Sequence, residues 1–164
     1  MKNAADIVIR PASRADAAVV HSMLLQLALA TGAQKKIRNT VRDIATALTG
    51  DTPAIHAFVA EKNGKPVGLA ICFLNFSTWR GSPGVYVQDI FVAANARGTG
   101  LGKKLLQAVA AWGQKQGADH LRLSVDPKNV AACQFYANVG LTLRDDEVIY
   151  AATGEAFANL VNAP

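Results

Sequence analysis

Cysteine is scarce in this chain: its 164 residues hold only Cys72 and Cys133. They are far apart, in no metal-ligand spacing, and each sits in an apolar run. That excludes a disulfide framework and a zinc-type ligand set, and it reads as two buried free thiols. Long apolar runs are missing as well. The richest stretch, Val19 to Ala30, is interrupted by His21, Ser22 and Gln26, so it suits an amphipathic helix rather than a membrane span. The opening Met1-Lys2-Asn3-Ala4-Ala5-Asp6 has no apolar core or cleavage site behind it, so no secretory signal is expected and a cytoplasmic location fits. The net charge of +5 favours anionic partners, but the one tight basic cluster, Lys35-Lys36-Ile37-Arg38, has no interleaved aromatics. It reads as a solvated loop, which argues against nucleic acid. His21, His56 and His120 show no spacing to one another or to an acid, and are read as incidental; no metal site is expected.

Repeats, low-complexity tracts and linkers are also lacking, so residues 1–164 are expected to form a single domain. Ile7 to Arg10 reads as a first strand. Ser13-Arg14-Ala15-Asp16 is a capping box opening a helix to about Ala30, with Val20, Met23, Leu24, Leu27 and Ala28 as its buried stripe. A second helix is expected from Thr40 to Leu48. Strands Ile55–Glu61 and Val67–Leu74 meet across Lys62-Asn63-Gly64-Lys65-Pro66, a hairpin-type turn. After a loop around Trp79 to Pro83 comes a third strand of this group, Val85–Val92. A helix from Leu101 to Gln116 follows, with Leu101, Leu105, Ala108, Val109 and Trp112 on one face and Gly117 as its stop. His120–Val125 is a strand and Asn129–Val139 a helix, capped by Asn129 and ended by Gly140. Leu141–Arg144 and Val148–Ala152 are expected to close the chain as a β-hairpin. The order βααβββαβαββ describes an α/β (α+β) domain whose antiparallel meander becomes parallel where a helix crosses over.

The informative segment is Val85 to Leu106, in which a strand leads into Gly98, Gly100 and Gly102 and then a helix. Glycine lets the backbone turn tightly and lets a ligand approach the main chain. The first turn of a helix leaves amide N–H groups unpaired at its electropositive end. Together these features make an anion socket suited to a phosphate or pyrophosphate, with Arg97 and Lys103 at its rim; the other reading is a plain glycine turn. A P-loop would need glycine where Arg97 stands and Ser or Thr where Lys104 stands. A dinucleotide fingerprint would need glycine at Lys103 and would open the first βαβ unit of a parallel sheet.

The segment Arg97-Gly98-Thr99-Gly100-Leu101-Gly102 resembles the signature of the GNAT superfamily of N-acetyltransferases, Q/R-x-x-G-x-G/A. With Asn75-Phe76-Ser77-Thr78-Trp79-Arg80-Gly81, Tyr86-Val87-Gln88-Asp89-Ile90-Phe91-Val92, and Asn129 with Phe135-Tyr136, the chain is most similar to the diamine (spermidine/spermine) and thialysine acetyltransferases. The resemblance implies a mixed, mostly antiparallel central sheet, splayed between its fourth and fifth strands and flanked by helices. It also implies acetyl-CoA as co-substrate, a small-molecule primary amine as acceptor, and a homodimer formed through the C-terminal segments. Backbone amides from Arg97 through Gly98, Thr99, Gly100, Leu101 and Gly102 to Lys103 would hold the pyrophosphate. Main-chain groups of Ile90, Phe91 and Val92 would pair with the pantetheine arm, Asn129 would contact the cofactor, and Tyr136 would protonate the leaving thiolate. A tyrosine on an amphipathic helix can equally be core.

An alkyl ammonium with a pKa near ~10.4 is under ~1% free base at neutral pH, so acetyl transfer needs a base or a water chain. Gln88 and Asp89 are polar residues within the apolar run VYVQDIFV, and strand alternation would send them to opposite faces. In the diamine acetyltransferases the Gln88 position is usually glutamate. Glutamine cannot take the proton, which leaves Asp89 as candidate base or, alternatively, as a paired structural carboxylate. Trp79 is a candidate acceptor-binding residue through cation–π attraction, or a loop anchor. A protein or peptide N-acetyltransferase, and a non-catalytic acyl-CoA-binding regulatory domain, are the alternative functions.

Overall fold

The N-terminal capping box forms as expected: Ser13 Oγ accepts from the Ala15 amide at 3.2 Å, and the Ser13 amide donates to Asp16 at 2.7 Å. One tight helical turn follows before the α-helix proper. The computed structural model of the chain describes residues 7–162, so the opening residues read for a leader lie outside it. In order the elements are β1 (Ile7–Pro11), α1 (Ala17–Ala30), α2 (Val41–Ala47), β2 (His56–Lys62), β3 (Lys65–Ser77), β4 (Ser82–Val92), α3 (Leu101–Lys115), β5 (His120–Leu123), α4 (Val130–Asn138) and α5 (Glu155–Asn162). Among the described residues no helix is long and apolar enough to cross a membrane.

Backbone packing divides the chain into two units, Met1–Ser124 and Val125–Pro164. The first contains a five-stranded sheet in the order β1-β2-β3-β4-β5, antiparallel except for the parallel pair β4–β5. Asn63 and Gly64 close the β2–β3 hairpin with φ of 52° and 71°, the two left-handed positions that a type I′ turn demands. Arg10 donates to Asp16 at 2.8 Å and to Glu61 at 2.7 Å, tying β1 to the first cap and to β2. The Arg10 hydrogen bonds hold the Asp16 carboxyl down to about 2.

The sheet is covered on both faces. Val20, Met23 and Leu24 of α1, with Ile44 of α2, pack on Ala57, Val59, Leu69, Ile71 and Phe91. On the opposite face α3 buries Leu101, Leu105, Leu106 and Val109. Gly68 is what lets α3 approach, since a Cβ there would meet Leu105, Ala60 and Leu101 at 3.1–3.2 Å. At Gly113 the approach is closer still, because an added Cβ would lie 2.2 Å from Val85 Cγ2. Val85 is buried and β-branched, so it cannot step aside cheaply. We expect Gly113→Ala to cost about 1–3 kcal/mol by overpacking, despite its better helix propensity. A thermal melt checks this, with a fall in Tm of roughly 3–9 °C expected.

The C-terminal unit departs from the sequence reading. α4 forms as expected, with Asn129 Oδ1 accepting from the Ala132 amide at 3.2 Å and Gly140 at a φ of 93°. The expected hairpin of Leu141–Arg144 and Val148–Ala152 does not form; neither segment is a strand. Two short arms make a marginal hairpin unless a third strand or a helix covers one face. Here Leu143, Val148, Ile149 and Tyr150 are all strongly exposed. The chain ends instead in α5, which the sequence reading did not anticipate. The cysteine expectation needs one change: Cys72 is buried, its thiol pushed up to about 12 by burial, whereas Cys133 is only half-buried.

Candidate active site at the β4–β5 fork

The fork between β4 and β5 follows from the unequal lengths of the strands. Their parallel rungs run from Gly84–His120 to Val87–Leu123 and stop there, while β4 continues through Gln88 to Val92. Beyond Val87 no β5 residue pairs with Gln88–Val92 among the described residues, a stretch that includes the Ile90, Phe91 and Val92 main chain singled out in the sequence; the Val92 carbonyl is taken by Arg97 instead.

At the same point the β3–β4 register slips. Ile71 pairs with Asp89, but Cys72 pairs with Val87, so Gln88 is an extra residue in β4. A bulge inverts the facing of everything beyond it. Val85 and Val87 face α3, whereas Asp89 and Phe91 lie on the α1 face with Ile71. Simple alternation from Val87 would have driven Asp89 into the α3 core. Alternation is broken at these residues, so the face that Asp89 takes is set by the bulge rather than by simple alternation. Gln88 is exposed, so only Asp89 bears a desolvation cost. Asp89 has no hydrogen bond or ion pair among the described residues, and burial pushes its carboxyl above the ordinary range. That disfavours the reading of a paired structural carboxylate.

After β4 the chain makes one tight turn, Ala94–Ala96, and enters the glycine loop. Gly98 and Gly100 stand at φ of 73° and 79°, left-handed positions that only glycine adopts cheaply. Arg97 Nε donates to the Val92 carbonyl at 3.1 Å, and Thr99 Oγ1 donates to the Ala96 carbonyl at 2.7 Å. These bonds fix the loop against the strand end. The Arg97 amide is taken by Ala94 O, and the Lys104 amide by Gly100 O at 3.1 Å. Between them, the amides of Gly98, Thr99, Gly100, Leu101, Gly102 and Lys103 have no acceptor among the described residues. α3 has no acidic residue in its first turn; Lys103 and Lys104 are there instead, where the helix dipole disfavours cations. A bound anion would relieve that repulsion and fill the row of free donors.

Trp79 lies in the turn between β3 and β4 and is fully exposed, so it anchors no loop. His120, read as having no acid, is corrected: its Nδ1 is 2.7 Å from Asp119, which also accepts from Ser82 and Arg80. Its ring occupies the space over Gly84, where a Cβ would lie 2.2 Å from Nε2, so it braces the first β4–β5 rung. Two separate clefts of about 350 Å³ are lined by Ala18, Ser22, Gln26 and Pro66, and by Asp51, His56, Phe73 and Gln116. Neither includes Asp89 or the glycine loop. Among the described residues no cluster of three metal-ligating side chains occurs.

Of the remaining candidates, Asn129 and Tyr136 belong to the C-terminal unit. Asn129 spends its carbonyl oxygen on the α4 cap. Tyr136 is half-buried with its ring centre 5.2 Å from that of Phe135, and its phenol is pushed up by burial and then by Cys133.

A sequence profile of the acetyltransferase (GNAT) family matches residues 22–141, which span parts of both units. The chain is 29% identical over 165 residues to thialysine N-epsilon-acetyltransferase of Bos taurus, covering 94% of this chain and 96% of the relative. In fold it is similar to an integron cassette protein from the mobile metagenome of V. cholerae, with a TM-score of 0.80 at 20% identity over 96% and 98% of the two chains. It is also similar to the aminoglycoside N-acetyltransferase AAC(6')-Iy solved in complex with CoA, with a TM-score of 0.75 at 21% identity over 92% and 97%. A sheet that forks after Val87, a glycine loop with free amides at the head of α3, and a family match over most of the chain lead to one conclusion: this protein is an acetyl-transfer enzyme of the GNAT family.

Proposed function

We propose that the protein moves an acetyl group from acetyl-CoA to a primary amine of a small molecule, of the thialysine or polyamine kind, by direct attack. The observation that carries this reading is the pairing of two unsatisfied features in one unit. One is the row of free amides from Gly98 to Lys103, and the other is the unpartnered Asp89 on the strand leading into it. A diphosphate fits the first, and an ammonium fits the second. The similarity to a thialysine acetyltransferase, and to an aminoglycoside acetyltransferase solved with CoA, supports both halves.

In the proposed reaction Gly98–Lys103 hold the pyrophosphate, and the β4 edge at Ile90, Phe91 and Val92 pairs with the pantetheine amides as an added strand would. Asp89 takes a proton from the acceptor ammonium. A proton-holding base must lie above the ordinary carboxylate range to compete at all for this transfer, and burial moves Asp89 in that direction. The amine then adds to the thioester carbonyl, a β4 amide stabilises the oxyanion, and the thiolate leaves. Tyr136, kept protonated by burial, supplies its proton, and Asn129 contacts the CoA. Exposed Trp79 and Gln88 serve acceptor binding, Trp79 through its ring face.

The whole chain acts as one acetyltransferase domain in this reading, in the cytoplasm. We place a homodimer contact on the C-terminal unit, which exposes Val148, Ile149, Tyr150, Phe157 and Leu160. Free-thiol release from acetyl-CoA, with polyamines, thialysine, lysine, aminoglycosides and short peptides as acceptors, tests the function. Turnover of one small amine, slowed strongly by Tyr136→Phe, is the expected result. Turnover of peptides alone would reassign the acceptor, and thermal stabilisation by acetyl-CoA with no turnover would make the protein a sensor.

A further inference from the structure

The direction from which an amine can reach the fork is decided by what already fills the two faces of the sheet. On the α3 face there is no room, because Val85 and Val87 are buried and Gly113 is pressed against Val85. On the other face, the β4 residue that α1 covers is Phe91. Moving back along β4 from Phe91, that face presents Asp89 and then Tyr86. Tyr86 stacks on Phe73, its register partner on β3, with ring centres 5.2 Å apart, which fixes the plane of the phenol.

The Tyr86 hydroxyl lies 2.7 Å from Ser124 Oγ. Tyr86 is in register with Arg122, and the last rung is Val87–Leu123, so Ser124 is the first residue past the pairing. The phenol therefore leans forward along the sheet, and two hydroxyls bridge β4 and β5 at the vertex of the fork. Both are accessible, the hydrogen bond being an exposed one. A fold that only needed to close this vertex could have added another backbone rung. Instead the contact is made by a pair of groups that each retain hydrogen-bonding capacity after bonding to one another.

An attacking amine must point its lone pair at the carbonyl while its N–H bonds are held from behind. Asp89 can hold one of them, and a second acceptor is required to fix the direction of the lone pair. Building on the amine-acetyltransfer reading, we propose that Ser124 Oγ is that second acceptor, contacting the amine, and that Tyr86 positions it by donating to its other lone pair. The nitrogen forms a bond to the acetyl carbon and the C–S bond breaks, its electron pair leaving on sulfur. Two protons depart from the ammonium: the first to Asp89 before attack, the second from the adduct nitrogen as the amide forms. One proton ends on the thiol and one is released to solvent.

The test is steady-state kinetics of Tyr86→Phe, Ser124→Ala, Ser124→Thr and the Tyr86→Phe/Ser124→Ala double variant, with an amine that the wild-type protein acetylates. Ser124→Ala is expected to lower kcat by about 10- to 100-fold, with the KM for acetyl-CoA and the melting temperature unchanged. Ser124→Thr restores the rate, and the double variant is no slower than Ser124→Ala, because the two hydroxyls act as one unit. Unchanged kcat in Ser124→Ala overturns the proposal, as does a multiplicative loss in the double variant or a loss that Ser124→Thr fails to restore. Wild-type silence toward every amine would instead overturn the acetyltransfer reading on which it rests.

Discussion

Asp89→Asn should slow acetyl transfer by about 10²- to 10⁴-fold at neutral pH, the span usual for loss of a general base. The side chain keeps its shape and loses only its basicity. The wild-type pH–rate profile should show an acid limb, activity falling as Asp89 takes up its proton at a pKa that burial has raised above the ordinary carboxylate range. In Asp89→Asn that limb should vanish. Stability should move the other way. Because burial makes the folded state hold the Asp89 proton more tightly than the unfolded chain does, protonation favours folding. The contribution is fully present below the unfolded pKa and is lost as pH rises through the folded one. The neutral amide carries no such cost, so at pH 7 the variant should melt no lower than the wild type. A large rate loss with an unchanged or raised Tm identifies a carboxylate kept for chemistry. A rate within about twofold of wild type, or a rate loss that tracks a fall in Tm, would remove Asp89 from the mechanism.

The second large effect is expected at the glycine loop. Gly98→Ala and Gly100→Ala place a Cβ in open space, since nothing lies within 4 Å of either position. What they strain is the backbone, held at φ of 73° and 79°, at a cost of about 1–2 kcal/mol each. Relief of that strain turns the peptide planes and misdirects the amides that would grip the diphosphate. The KM for acetyl-CoA should rise about tenfold or more, equivalent to ~1.4 kcal/mol, with a much smaller change in kcat. Gly117→Ala is the matched control. Gly117 has a φ of 84° and equally open surroundings, but it lies at the far end of α3. It should lose comparable stability and keep its KM. If all three variants share one KM, the loop does not bind the cofactor; isothermal titration with CoA would check the same point without turnover.

The C-terminal hairpin shows why local pattern has limits. Leu141–Arg144 and Val148–Ala152 carry strand-like composition, and composition says only that a segment would suit a strand if a neighbour supplied rungs and cover. Within residues 125–162 no neighbour does so, and these residues stay irregular and exposed. The helix Glu155–Asn162 was missed beside them, although Phe157, Leu160 and Val161 recur at helical spacing. The Tyr86–Ser124 contact was missed for another reason. Tyr86 was visible inside VYVQDIFV and Ser124 as a polar residue ending an apolar strand, but 38 residues separate them and only the β4–β5 register brings them together.

By itself the sequence determined the local structure that depends on neighbours a few residues away. Both N-terminal caps, the Asn63-Gly64 turn, the stripes of α1 and α3, and the left-handed glycines ahead of α3 all follow from side-chain period, capping chemistry and backbone sterics. Tertiary structure decided what depends on pairing across the sheet. It inserted Gln88 as a bulge, which sent Asp89 to the α1 face and left it without a partner among the described residues, and it ended β5 at Leu123, which opened the fork. No pattern within VYVQDIFV encodes a slip against Ile71 and Cys72, because register is set by the strands on either side and by which face α3 must fill.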